Sequence, residues 1–495
     1  MIGAVFLAAS MTASGPGAPP PVAFLTYESG ALVGVDWVER HGDRVHSRSV
    51  LMQSMVIDAT VTLRDDETAV RSSTVLEQAG SAPQPPTERA FREGVIYWSD
   101  MTPASIEQAI RRARALGQPT ARIAATSLFR DSRDEVEVTR VDSTDWVVRC
   151  HGKRYEALTD ERGNLLSAAL PDFGVTIERL EGFGPDRYPL WPPDAAPPDG
   201  AYRAEDVTVR APQGHVLAGT LTTPRGRGPF PAVVLITGLS PSNRNGGQPP
   251  WMPLRDLADA ITRRGIAVLR VDDRGVGAST GDHASSTTFD EAEDVRTEVA
   301  WLRARPGIDR ARIGLVGYSE GGLIAPMAAA ADSTIAAIVT LAGPGVSGPE
   351  VARYQIEAAV VGDSAIAPAD REAAIARELA DTLTVRERSY LAIDPLAYAR
   401  RARCPALIVQ GATDRHVPIR SAERLAWAMR SGGDSDVTVR LVPGVSHSLL
   451  YDPSGLNSGW VYLPAFLTSP EILDAACGWL QARLAPARRA IRRGR

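Results

Sequence analysis

Arg312-Ile313-Gly314-Leu315-Val316-Gly317-Tyr318-Ser319-Glu320-Gly321-Gly322, running on into Leu323-Ile324-Ala325-Pro326-Met327-Ala328-Ala329-Ala330-Ala331, is the stretch on which the reading of this chain turns. The first part has the apolar content and length of a buried strand, and the second reads as a helix. Between them stands a G-x-S-x-G, Gly317 to Gly321. A serine at the centre of a strand–turn–helix sits on a sharp bend, and small flanking glycines allow the close contacts of that bend. Its Oγ projects above the sheet, and the next backbone N–H points at a developing oxyanion. The bare motif is only moderately specific; its context favours a nucleophile over a structural turn serine.

Outward from this point, residues 201–485 alternate strand and helix signals, the signature of a mostly parallel sheet flanked by helices. The apolar run Pro231–Gly238 is a strand, and residues 253–265 are a helix closed by Gly265. A strand at 266–275, a helix ended by Pro306 and Gly307, and a strand at 336–343 follow the same rhythm. The first two strands, near 207–224, read as an antiparallel edge. Residues 349–402 are helical and longer than an ordinary connection, which predicts a cap. Tyr354, Ile356, Leu379, Leu383 and Tyr390 would form its packing faces or line an acyl pocket.

A serine nucleophile needs a base, and the base needs an orienting group. Only seven histidines are present, so elimination is productive. His41, His46 and His151 lie in a strand-rich region, His215 near the first strand pair, and His283 ahead of the serine. In sheets of this type the order is serine, acid, histidine. His416 is two residues from the best acid and poorly placed to be oriented by it, which assigns it a structural or rim role. His447, in the loop after the last predicted strand, is the base. Asp414, after the strand Pro405–Thr413, is the acid; the alternative position after 336–343 has no carboxylate before Glu350. The expected oxyanion donors are the backbone N–H groups of Glu320 and Leu239, the latter in Thr237-Gly238-Leu239-Ser240-Pro241.

The order Ser319, Asp414, His447 on this pattern resembles the α/β-hydrolase superfamily. Gly317-Tyr318-Ser319-Glu320-Gly321-Gly322, preceded by Asp272-Asp273-Arg274-Gly275 and the residues to Asp282, is similar to bacterial serine esterases and prolyl-oligopeptidase-related hydrolases. The resemblance covers about residues 200–485. It implies hydrolysis of a small-molecule ester or peptide-like substrate through an acyl-enzyme, with no metal and no organic cofactor. The oxyanion loop departs from the His-Gly pattern of many relatives. The leading expectation is a carboxylic ester hydrolase. A serine peptidase, an amidase or an acyltransferase on the same triad stays open, as does a binding protein on an inactive hydrolase fold. Gly343 to Gly348 matches G-x-G-x-x-G literally, but its prolines and the absence of an opening βαβ unit make it a loop. Arg274 is expected to pair with nearby carboxylates.

Residues 22–189 read as short, often alternating strands with turns between them, predicting a β-rich antiparallel domain with one helix near 103–117 and no catalytic constellation. Residues 190–200, rich in Pro, read as a linker. Residues 1–21 look like a truncated signal segment or a disordered N-terminus, which slightly favours secretion or the cell envelope over the cytoplasm; residues 486–495 are a basic tail. The 495 residues carry 44% hydrophobic and 23% charged residues with a net charge of −5. That excludes a disordered chain and a globally basic nucleic-acid binder. Three widely spaced Cys suggest neither a disulfide framework nor a thiolate metal site, and no apolar run is long enough for a membrane span. Composition leaves oligomeric state open.

Overall fold

The computed structural model describes residues 22–484 apart from 101, 130, 363–365, 380–382, 454 and 456–466. The segment 1–21 and the tail 486–495 lie outside the described residues. The chain forms two compact units, Met1–Leu190 and Trp191–Arg495.

In the first unit the described strands form one 13-stranded sheet. Six strands from Val22–Glu28 to Thr87–Ala90 form an antiparallel meander. Six more, from Thr120–Ser127 to Val175–Glu181, form a second meander, whose last strand pairs antiparallel with Val22–Glu28. One pairing departs from the antiparallel pattern: Ile96–Trp98 runs parallel to Thr120–Ser127. A parallel pair needs a crossover, and the helix Pro103–Leu116 supplies it. Pro103 occupies its first turn, and Gly117 ends it at φ 66°, where a left-handed residue closes the last turn. Ile106, Ala109, Ile110 and Ala113, three to four residues apart, bury its inner stripe in a core with Trp98 and Trp146.

The strands of the second unit are β1 (Tyr202–Arg210), β2 (Val216–Pro224), β3 (Phe230–Ile236), β4 (Ala267–Val271), β5 (Ile308–Tyr318), β6 (Ala337–Leu341), β7 (Ala406–Gly411) and β8 (Val437–Val442). Their order across the sheet is β1-β2-β4-β3-β5-β6-β7-β8. β1 and β2 pair antiparallel, β2 joins β4 antiparallel, and every pairing from β4 to β8 is parallel. Its helices are α1 (Pro253–Arg263), α2 (Thr288–Ala304), α3 (Gly321–Ala331), α4 (Gly348–Gly362), α5 (Arg371–Leu379), α6 (Val385–Ala392), α7 (Pro395–Ala399), α8 (Arg420–Gly432) and α9 (Pro470–Leu484). A parallel sheet is covered on both faces, so β3 is apolar at every buried position. Ala232, Val234 and Ile236 face the core built with α2, α3 and α8. Val233 and Leu235 face the core built with α1 and α9. α4 to α7 occupy the connection between β6 and β7, where the cap was expected.

The proline-rich segment after Leu190 is not free chain. The Arg255 guanidinium lies 3.6 Å from the Trp191 ring centroid, and Arg270 Nη2 donates to Pro193 O at 2.8 Å. Both partners belong to the second unit, so the first residues of the expected linker are packed on it. Among the described residues, no helix is long and apolar enough to cross a membrane.

Candidate active site

Parallel strands deliver their C-terminal ends to one edge of a sheet, and the loops leaving those ends form its crevice. Four such loops, after β3, β5, β7 and β8, carry Leu239, Ser319, Asp414 and His447.

The loop after β5 is the tightest. Ser319 sits at φ 56°, a left-handed conformation that costs a non-glycine residue energy and is kept only when its surroundings over-determine it. The glycines supply that determination. A Cβ on Gly317 would overlap the Gly321 carbonyl. One on Gly321 would lie 2.6 Å from the carbonyl oxygens of Ile236 and Thr237, and one on Gly322 2.6 Å from Gly343 Cα. The bend is therefore wedged between β3 and the loop after β6. Ser319 N–H donates to Leu341 O at 2.9 Å, which pins it to β6.

The structure brings Ser319, His447 and Asp414 together. His447 Nε2 lies 3.1 Å from Ser319 Oγ, and His447 Nδ1 lies 2.9 Å from Asp414 Oδ2. The Asp414 side chain is fully buried and both its oxygens are engaged. Oδ1 accepts the N–H groups of His416 and Val417, each at 2.8 Å, and Oδ2 also accepts Gln410 Nε2 at 2.7 Å. Such an oversupply of donors fixes the carboxylate plane and, through it, the imidazole.

His416 lies against the base, in keeping with the structural or rim place expected of it. Its ring stacks on His447 with centroids 4.8 Å apart and planes 21° apart. Tyr318 lies against the His447 ring as well, at 5.4 Å. Burial, together with repulsion from His447, pushes the His416 imidazole down to about 4, so at neutral pH it presents an uncharged ring. The other five histidines are occupied elsewhere. His41, His46 and His151 meet Glu39, Asp58 and Asp100 in the first unit; His215 meets Asp294, and His283 lies 3.9 Å from Asp273.

The loop after β3 approaches the serine closely: a Cβ on Gly238 would stand 3.4 Å from Ser319 Cβ. Thr237 Oγ1 donates to Asp273 Oδ1 at 2.5 Å and Ser242 N–H to Asp273 Oδ2 at 2.9 Å, which clamps the loop at both ends. Among the described residues, no acceptor takes the backbone N–H of Glu320 or of Leu239.

A cavity of about 590 Å³ opens over Ser319, bordered by Leu239, Pro241, Trp251, Tyr318, Gln355 and Tyr390. Ser240, Ser242, Asn243, Gln248, Gln355 and Ser448 place polar groups among these aromatic and aliphatic walls, so the lining is mixed. The cap contributes Gln355 and Tyr390. Tyr354 instead donates its hydroxyl to Asp414 O at 2.9 Å, and Ile356 packs with α5. Leu379 and Leu383 are exposed, so neither is a packing face nor a pocket wall. Arg274 pairs with Asp294, as its neighbourhood suggested. Gln410, Trp251 and the buried pair Arg386–Glu320 escaped the sequence reading. Arg386 and Glu320 stand 66 residues apart, so no local pattern joins them. Among the described residues, no group of three or more His, Cys, Asp or Glu side chains is arranged to hold a metal ion.

Comparison with known proteins agrees with the fold. Residues 213–354 match the family described as X-Pro dipeptidyl-peptidase (S15 family). Residues 295–452 match the C-terminal family of BAAT and acyl-CoA thioester hydrolases. Esterase EstD of Thermotoga maritima is 23% identical over 309 residues, covering 58% of this chain and 69% of that protein. Polyketide transferase ATR5 of Stachybotrys chlorohalonatus is 34% identical over 139 residues, 28% of this chain and 44% of that protein, so the match spans less than half of that relative. The solved α/β-hydrolase GrgF from Penicillium superposes with a TM-score of 0.41 at 21% identity, covering 57% of this chain and 99% of that one. With the strand order, the two family matches and the esterase relative in agreement, the chain belongs to the α/β-hydrolase superfamily, and it is an enzyme of the serine-hydrolase type.

Proposed function

We propose that this chain hydrolyses small carboxylic esters through an acyl-enzyme intermediate. The observation that carries the proposal is the Ser319–His447–Asp414 relay, with contacts of 3.1 and 2.9 Å, at the floor of a cavity of about 590 Å³. Ser319 Oγ attacks the ester carbonyl while His447 Nε2 takes its proton. The carbonyl oxygen becomes an oxyanion, received by the N–H groups of Glu320 and Leu239. His447 returns the proton to the departing alcohol, which leaves the acyl group on Ser319. Water then repeats the sequence: His447 takes a proton from it, the acid departs, and Ser319 recovers its proton. Asp414 holds the imidazole tautomer that makes both halves work. Residue chemistry supplies every step, so no metal or organic cofactor is invoked.

A second reading keeps the relay and changes the acyl donor or acceptor. It is favoured by the peptidase and thioester-hydrolase family matches and by the polyketide transferase relative. One panel separates the readings: p-nitrophenyl esters of increasing chain length, acyl thioesters, and aminoacyl and peptidyl anilides, each with and without an added alcohol acceptor. Ester turnover should lead, and Ser319→Ala should abolish it while leaving the protein folded. Full ester turnover by that variant would overturn the relay, and anilide turnover above ester turnover would install a peptidase.

A further inference from the structure

Beneath Ser319 lies a buried ionic cluster that the relay does not use. Glu320, whose backbone N–H is the proposed first oxyanion donor, has a side chain with no exposure. Its Oε1 accepts Thr288 Oγ1 of α2 at 2.6 Å, and its Oε2 accepts Arg386 Nη2 of α6 at 2.7 Å. Arg386 Nη1 reaches Glu291 Oε1 of α2 at 2.7 Å and Ser286 Oγ at 3.2 Å. The guanidinium comes from the cap and is only 3% exposed.

The acids that face it outnumber the cations. α2 brings Asp290 and Glu291, with Asp294 in turn acting on Glu291; the segment after β4 brings Asp273 and His283; the serine bend brings Glu320. Asp294 is answered by Arg274 and His215. Burial and the charge of Glu291 push Asp273 well up, while Arg386 pulls it back. Burial and Arg386 keep His283 down at about 4, so it adds no charge at neutral pH. Arg386 is thus the cation hydrogen-bonded to both Glu320 and Glu291, and its field also reaches Asp273, the residue that clamps the loop of the second oxyanion donor.

We infer that Arg386 of the cap is a positioning residue for the oxyanion hole, holding Glu320 in place and neutralising the carboxylate that stands beside the developing negative charge. This rests on the reading of Ser319 as the nucleophile. An uncompensated carboxylate on the residue whose amide receives the oxyanion opposes that charge in a water-poor site. A donor aimed by its side chain also loses its aim when the anchor goes. Both effects act on the transition state more than on the bound ester, so they appear in kcat rather than in KM.

The experiment measures Arg386→Met and Arg386→Lys in the full chain against p-nitrophenyl esters, with rates divided by active sites titrated with a fluorophosphonate. Arg386→Met should lower kcat by about 10²-fold, the usual size of a lost oxyanion donor, with KM within about threefold. Affinity for an alkyl boronic acid, which mimics the tetrahedral state, should fall in parallel. Arg386→Lys keeps the charge but not the two-pronged contact and should fall between. Arg386→Met/Glu320→Gln removes the uncompensated charge and should regain about tenfold. Where Arg386→Met does not fold, Arg386→Lys and the double variant carry the same test. Rates per titrated site within threefold of the parent, or a double variant no faster than the single, would overturn the inference. If Ser319→Ala retains ester turnover, the nucleophile reading fails instead, so the two failures are distinct.

Discussion

In the antiparallel sheet of the first unit, His151 is held as a cation between Asp100 and Asp134, at 2.8 and 3.2 Å. In the parallel sheet of the second unit, His416 and His283 are held neutral, each pushed down to about 4 chiefly by burial. The same side chain serves as a fixed counter-charge in one unit and as an uncharged wall in the other. Topology explains the difference. A meander alternates its loops between two edges, so polar residues meet mainly through neighbouring strands. Asp100 gathers His151, Lys153 and Tyr155 from one hairpin, together with Trp98 two residues away. Parallel strands stack the loops after β3, β5, β7 and β8 at a single edge, and polar residues far apart in the chain converge there around empty space.

The comparison breaks most sharply if carboxylates of the two units are interchangeable in effect. Asp414→Asn should lower kcat by about 10⁴-fold through the wrong histidine tautomer, with little change in melting. Asp100→Asn should do the reverse. Lys153 and Asp100 are 5% and 4% exposed, and breaking a buried pair costs about 3–5 kcal/mol. Its kcat per titrated site should stay at the parent value. Ester kinetics beside thermal unfolding checks both.

The pH response sharpens the comparison further. His151 is raised from 6.5 to about 10 by its hydrogen bond to Asp100, so its contribution is complete below pH 6.5 and is lost as pH climbs toward 10. Burial alone would raise Asp100; hydrogen bonding to His151 and the charge of Lys153 outweigh it and hold it at about 2, so its contribution survives until pH falls below 3.8. His416 and His283 are lowered from 6.5 to about 4, so the unfolded chain takes up protons first and stability falls as pH drops through that window. Hydrogen exchange at pH 5, 7 and 9, corrected for intrinsic rates, should show peptides of the first unit losing protection at pH 9 and those around 283 and 416 losing it at pH 5. Loss at the same pH in both units would end the contrast.

The smallest effect concerns the stacked ring. His416→Phe keeps a flat, neutral face on His447 and should change kcat by less than about threefold at pH 8. It should also remove part of the acid-side loss of stability. A kcat loss near that of Asp414→Asn would move His416 into the chemistry.

Ser319 was readable because the strand–turn–helix signal is local: Gly317, Gly321 and Gly322 flank it directly. Histidine elimination leads to His447, which the structure places beside Ser319, because so few candidates exist and chain order removes most of them. The loop after β3 was readable from the same alternation, and its Gly238 does lie against the serine. Other features carry no local pattern. Ile96–Trp98 is three residues long, too short to declare its direction. The segment from Trp191 reads as linker because its prolines are visible while Arg255 and Arg270, which hold it, lie far along the chain. Tyr354 and Tyr390 both looked like pocket or packing residues, and only the path of α4 and α6 separates them.

The sequence by itself determined the class of fold, the serine bend and the residues from which an acid and a base would be drawn. Each is written in spacing, periodicity or order along the chain, which short-range sterics and hydrophobic burial translate directly. Tertiary structure decided that Asp414 is filled by four donors, that His416 lies on His447, and that a cap arginine sits under the nucleophile. The His447 and Arg386 contacts join distant segments, and their partners are chosen by how the helices and loops pack on the finished sheet; the three local donors to Asp414 depend on the path its loop takes off β7.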